Sequence, residues 1–223
     1  MNRDRYGPWA LVAGASDGIG AAFATALAAG GLNLVLAARR EPLLTELAQR
    51  LRDQYATETR TVVADQGTHD GLDAVRASTE DIGPVVVNAA SAPIAPYLEL
   101  TPSQVDSMVE LNGRAPAVLA HAFGARMKER GRGGLILLSS VASLQGSALI
   151  AHYAATKAYV RVLAEGLWYE WRPYGVDVLA CCPGLVATPR THVTTRRPGH
   201  WCRRPWIRLR WPGKRWPCLA AAR

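Results

Sequence analysis

Residues 14–20 read GASDGIG, between two short apolar runs, Trp9 to Gly14 (WALVAG) and Leu32 to Ala38 (LNLVLAA), with an Ala-rich stretch from Ala21 to Ala29 separating them. Strand, glycine turn, helix and strand predict one βαβ unit, whose crossover forces its two strands parallel. Glycine is needed in such a turn for tightness, for close approach of a pyrophosphate, and for packing the helix on the sheet. The helix N-terminus behind it offers amide groups and positive dipole to phosphates. With these flanking elements the glycine run reads as a nucleotide-binding signal.

The alternation continues along the chain. Glu41 to Tyr55 has helical period, with Leu43, Leu44, Leu47 and Leu51 on one face. Thr61 to Ala64 reads as a strand ending at Asp65, His69 to Ile82 as a helix, and Pro84 to Asn88 as a fourth strand. Thr101-Pro102 opens a long helix to about Arg130, in cap-then-proline order. Asn112, Gly113 and Pro116 inside it are poor helix chemistry and predict a kink near Asn112, where a functional residue is expected. Gly133 to Ser139 is a fifth strand, a helix follows to about Pro173, and Gly175 to Cys182 is a sixth strand. Six strands alternating with helices predict an α/β fold, a Rossmann-like doubly wound parallel sheet with helices on both faces. Gly14, Asp65, Asn88, Ser140 and Pro183 then fall at strand carboxyl ends, where such sheets bind ligands.

Two further features carry chemistry. The second strand runs into Ala38-Arg39-Arg40, with no acid to hold a ribose 2′-hydroxyl and with Arg39 placed to meet a 2′-phosphate. NADP(H) is therefore preferred, with NAD(H) second. Tyr153 and Lys157 lie four residues apart on one helix face. A phenol beside an ammonium is expected to have a lowered pKa, which suits acid–base work on an oxygen.

Composition sets the frame around these motifs. A length of 223 residues, 49% hydrophobic, fits one folded domain. No apolar run reaches a membrane span, and MNRDRYGPW shows no signal-peptide core, so a cytoplasmic protein is expected. Cys181 and Cys182 read as small buried residues, and Cys202 and Cys218 match no metal spacing. The net charge of +8 is uneven, because all 18 acidic residues precede position 190 while residues 190–223 carry 10 of the 26 Lys and Arg.

From residue 8 to about 190 the chain resembles the short-chain dehydrogenase/reductase family. The matching pieces are GASDGIG at 14–20, Asp65, NAA at 88–90, Asn112, Ser140, YAATK at 153–157 and PGLVAT at 183–188. Ser140 is chosen over Ser139 because the family's serine precedes its tyrosine by thirteen residues. The resemblance implies an NAD(P)H-dependent oxidoreductase that interconverts a carbonyl and a secondary alcohol. Tyr153 would exchange the proton with the substrate oxygen, Lys157 would lower the tyrosine's pKa and hold the nicotinamide ribose, and Ser140 would hold the substrate oxygen. Asn112 would position a water linking Lys157 to solvent. Gly14, Ser16, Asp17, Gly18, Ile19 and Gly20 would line the pyrophosphate, Asp65 the adenine, and Asn88 with Ala89 the adenosine ribose. Pro183, Gly184 and Thr188 would face the nicotinamide. The flanking segments look most like members acting on 3-oxoacyl or ketosteroid substrates. The family also commonly forms homodimers or tetramers by pairing the Asn112 and Tyr153 helices. No specific nucleic-acid or membrane partner is expected.

There are departures. Ala90 stands where the family usually has glycine, and Asp17 stands where many NADP-dependent members carry a basic residue. Residues 1–189 form the expected catalytic domain. Residues 190–223 form a basic Arg/Trp/Pro-rich tail without helical or strand period, expected to be unstructured. A changed reading frame, a basic tail that binds anions, and a folded lid are three readings of it. The function alternatives are a remnant that binds nucleotide without turnover, and a binding protein that works through the tail.

Overall fold

The computed structural model describes residues 3–78 and 81–186, together with the backbone of 210–211 and 214–215. A short helix α1 (Arg3–Tyr6) leads into β1 (Trp9–Ala13), α2 (Gly18–Ala29), β2 (Asn33–Ala38), α3 (Glu41–Tyr55), β3 (Thr59–Val63), α4 (His69–Arg76) and β4 (Ile82–Val87). Then come α5 (Pro102–Val109), a π turn (Glu110–Arg114), α6 (Ala115–Arg130), β5 (Gly133–Leu138), α7 (Ala151–Trp171) and β6 (Val176–Cys181). The six strands form one sheet in the order β3-β2-β1-β4-β5-β6, and every pairing is parallel. The order reverses between β1 and β4, which is the switch point at which doubly wound sheets bind ligands.

Each strand feeds two cores because its side chains alternate between faces. Leu11, Ala13, Val35, Val85 and Leu137 pack on one side with Leu72, Leu119, Phe123, Met127 and Val160 from α4, α6 and α7. Ala10, Val12, Leu34, Leu36 and Ile136 pack on the other with Leu27, Leu44, Leu47 and Leu51 from α2 and α3. With both faces covered, the strands are continuous apolar runs instead of alternating ones.

Three boundaries differ from the sequence expectation. β3 starts at Thr59, two residues early, because Thr59 and Arg60 pair in register with Leu34 and Val35. The helix expected over 69–82 stops at Arg76, and Ile82 instead opens β4 by pairing with Trp9. The kink expected near Asn112 is a one-turn π bulge at Glu110–Arg114, with α5 and α6 continuing on either side. Pro116 lacks an N–H, so the carbonyl of Asn112 loses its α-helical donor and the ladder shifts by one residue there.

Cys181 and Cys182 are partly exposed and outside any disulfide, not buried, since β6 pairs with β5 alone among the described strands. In the basic tail, Arg210–Trp211 and Lys214–Arg215 pair antiparallel, which the sequence pattern did not suggest. The other expectations for 190–223, and Thr188, lie outside the described residues. Among those residues no helix is long and apolar enough to cross a membrane.

Candidate active site

The glycine turn joins the carboxyl end of β1 to the N-terminus of α2. Gly14 sits at φ +92, and a Cβ there would come within 2.5 Å of the Ala89 amide nitrogen. Gly20 is closed in likewise: a Cβ would meet the Gly14 carbonyl and come 2.7 Å from Asn88 Nδ2. Glycine is required at both places because the turn, the helix start and the β4 end are in backbone contact. Asn88 ties them together, donating from Nδ2 to Gly14 O at 2.8 Å, while the amides of Asn88 and Ala89 donate to Ala13 O at 2.8 and 3.1 Å. Ile19 is partly buried, packed against the α2–α3 core.

This cradle fits a dinucleotide. The first amides of α2 have no helical acceptors, and the first turn carries no acidic residue. Asp17 caps the helix, accepting from Gly18 N at 2.7 Å. The 2′ end is more crowded than the sequence suggested. Arg39 Nη1 donates to Asp65 Oδ2 at 3.5 Å, and Arg40 Nη2 donates to Ser16 Oγ at 3.2 Å and to Asp17 Oδ2 at 3.3 Å. Arg40 was not singled out from the sequence, although the doublet at 39–40 was the available signal. Asp65 also holds its own loop, accepting from Gly67 N at 2.9 Å, while Thr68 caps α4.

The acid–base end lies where β5, β6 and α7 meet. Tyr153 and Lys157 share a face of α7, with the ammonium 5.8 Å from the centre of the phenol ring. Lys157 is buried, 3% exposed, and donates to Leu138 O at 2.6 Å. Burial pulls its pKa down to about 8, against a smaller upward pull from Cys182. The Tyr153 phenol is pushed up by burial, with a hydrogen bond to the Ser140 side chain opposing. The direction is the opposite of the expected lowering: burial is the larger influence and the Ser140 hydrogen bond the opposing one.

The serine pair divides its work. Ser139 is buried and donates to Lys157 O at 2.7 Å, whereas Ser140 stands at the start of a short 3₁₀ turn, accepting from Ala142 N at 3.2 Å and meeting Tyr153. Asn112 is fully buried. Its Oδ1 accepts from Ser91 N at 2.8 Å, and its Nδ2 donates to Ser91 O at 2.8 Å and Thr156 Oγ1 at 3.1 Å. Its side chain thus ties the π turn to Ser91 and to α7. Ser91 and Thr156 were not singled out from the sequence. Pro183 O accepts from Val141 N at 3.0 Å, which ties the loop after β6, including Gly184, to the Ser140 turn.

Residues 8–198 match the short chain dehydrogenase family. Among curated relatives, a 7beta-hydroxysteroid dehydrogenase of Clostridium sardiniense is 32% identical over 84% of this chain and 72% of its own length. A very-long-chain 3-oxoacyl-CoA reductase of Anas platyrhynchos is 32% identical over 84% of this chain and 62% of its own. The human inactive hydroxysteroid dehydrogenase-like protein 1 is 33% identical over 84% and 58%. The chain therefore spans less than two thirds of two of these three relatives. Of solved structures, a short-chain dehydrogenase of Sphingobium yanoikuyae in complex with NADPH aligns with a TM-score of 0.79 at 34% identity, covering 81% of this chain and 72% of that one. A bulky-bulky ketone specific alcohol dehydrogenase of Comamonas testosteroni aligns at 0.78 and 34%, covering 81% and 73%. With the parallel sheet, the glycine cradle and the Ser140–Tyr153–Lys157 cluster in place, this chain belongs to the short chain dehydrogenase family of oxidoreductases.

Proposed function

We propose that this chain interconverts a carbonyl and a secondary alcohol using a nicotinamide dinucleotide, NADP(H) in preference to NAD(H), with Tyr153 as the group that exchanges the proton. The observation that carries this reading is the contact between the Ser140 side chain and the partly buried Tyr153 phenol, one helical turn from Lys157 and at the same sheet end as the glycine cradle. A bound nicotinamide supplies or accepts the hydride. In the reducing direction Tyr153 gives its proton to the substrate oxygen, and Ser140 steadies the charge that develops there. Lys157 is positioned by Leu138 O to hold the nicotinamide ribose and to replace the lost proton. The backbone of Gly14–Gly20 would hold the pyrophosphate, Arg39 a 2′-phosphate, Asn88 and Ala89 the adenosine ribose, and Pro183 and Gly184 the nicotinamide edge. Thr188 is proposed beside them from the motif alone.

The site's lips favour a bulky apolar substrate. Residues 89–98, 139–150 and 181–186, the loops after β4, β5 and β6, contain no Asp, Glu, Lys or Arg. Ile94, Leu144, Leu149 and Leu185 stand exposed on them. Ala95 N donates to Leu149 O at 3.0 Å, so two of the loops meet directly. A large neutral ketone, of the ketosteroid or 3-oxoacyl kind, suits such a rim. Tyr159, Val162 and Tyr169 line one exposed stripe of α7, which supports association with a second copy. A cytoplasmic location remains part of the proposal, with no nucleic-acid or membrane partner assigned.

The test is Tyr153→Phe. Turnover on a ketone panel should fall about 10³-fold while NADPH binding is kept; an unchanged rate would remove Tyr153 from the mechanism. A second reading, nucleotide binding without turnover, is supported by the similarity to a relative named inactive. It predicts NADPH binding and no activity on any carbonyl in the wild-type chain.

A further inference from the structure

Arg40 is caught by the glycine turn. Its guanidinium donates to Ser16 Oγ and to Asp17 Oδ2, while the other oxygen of Asp17 caps α2 through Gly18 N at 2.7 Å. One residue earlier, Arg39 meets Asp65 in the same way. The end of β2, the place where an adenosine ribose is read at its 2′ position, therefore holds two guanidinium groups and two carboxylates. Their charges cancel. A 2′-phosphate wants the cations but must approach the carboxylates, whereas a 2′-hydroxyl can donate to either carboxylate.

We infer that the Asp17–Arg40 pair is a latch over the 2′ subsite, and that Asp17 keeps the preference for NADPH over NADH small by cancelling the charge that Arg40 would offer a 2′-phosphate. The inference rests on the dinucleotide reading of this site. The pair is half-exposed, with Arg40 at 49% and Asp17 at 22% side-chain exposure, so it opens at little cost when a stronger partner arrives. What persists after opening is the negative charge of Asp17, fixed in place by its cap to Gly18. A fixed carboxylate beside a dianion is repulsive at any solvent-exposed distance shorter than the screening length.

Asp17→Asn separates the two roles of this residue. Asparagine is as good a helix cap as aspartate, so the turn keeps its bond to Gly18 N while the charge disappears. Dissociation constants for NADPH and NADH are measured by direct fluorescence titration of the full chain, without substrate. In the wild type the two constants are expected to lie within about tenfold of each other. Asp17→Asn should tighten NADPH about five- to tenfold, with NADH little changed, and the gain should shrink in high salt. Adding Arg40→Gln to that variant should erase the gain. A ratio of constants left within twofold of wild type by Asp17→Asn overturns the latch. Failure of both dinucleotides to bind the wild type overturns the dinucleotide reading itself, and the latch with it.

Discussion

The ammonium of Lys157 donates to the main-chain carbonyl of Leu138 across 2.6 Å, from the buried face of α7 to the last residue of β5. Ser139, the next residue, returns a bond to the carbonyl of Lys157 at 2.7 Å. These reciprocal bonds fix the height of α7 against the sheet, and with it the height of Tyr153 above the strand ends. The charge is held there against desolvation, which explains its lowered pKa.

The pH dependence of stability follows from that burial. Lys157 titrates near 10.5 in the unfolded chain and at about 8 in the folded one. Between those values the unfolded state binds more protons, so stability from this group rises with pH through the window. The raised phenol of Tyr153 acts only above its ordinary value of 10.0, where it works the other way. Urea midpoints of wild type and Lys157→Met, compared from pH 7.5 to 9.5, should diverge in favour of the wild type. Parallel curves would mean that Lys157 is not the origin.

The two adjacent serines should separate stability from catalysis. Ser139→Ala removes a buried hydrogen bond and should cost about 1 kcal/mol of unfolding free energy. Ser140→Ala should leave the midpoint nearly unchanged and lower kcat about 10²-fold. Equilibrium denaturation and steady-state kinetics on both variants decide it; the opposite pattern would exchange their roles.

Asn112 is predicted to be a structural keystone of the π turn. Asn112→Ala leaves Ser91 N, Ser91 O and Thr156 Oγ1 without the partners they now have. The expected loss is about 3 kcal/mol by urea denaturation. Thr156→Val removes one of the three bonds together with the hydroxyl's own bond to Tyr153 O, and should cost roughly two thirds as much.

Gly124, inside α6, lies against the indole of Trp171. A Cβ there would come within about half a normal contact of the ring, so Gly124→Ala forces α6 and α7 apart. Overpacking of this kind costs about 1–3 kcal/mol, more than alanine returns in helix propensity. A thermal midpoint equal to or above wild type would show that Trp171 yields freely.

Much of the site was legible in the chain because its groups are carried by local patterns. The glycine turn, Tyr153 with Lys157, and the doublet Arg39-Arg40 are short motifs whose chemistry follows from residue type and spacing. Asn112 stood out by breaking a helix rule, and the structure shows the break as a π bulge that leaves its carbonyl without an α-helical donor. Pairings over long separations were not legible. Asp17 with Arg40, Asn112 with Ser91 and Thr156, and Ser139 with the Lys157 carbonyl join residues 18 to 44 positions apart.

By itself, then, the sequence determined the parallel α/β sheet, its helices on both faces, and the placement of Ser140, Tyr153 and Lys157 near its carboxyl edge, since periodicity and glycine placement act over a few residues. Only the tertiary structure decided the charge states and occupancies at that edge. It raised the Tyr153 phenol instead of lowering it, buried Lys157 against Leu138, and set Arg40 against Asp17. The physical reason is that desolvation and ion pairing depend on which distant segments surround a group, and that is fixed only when the strands assemble.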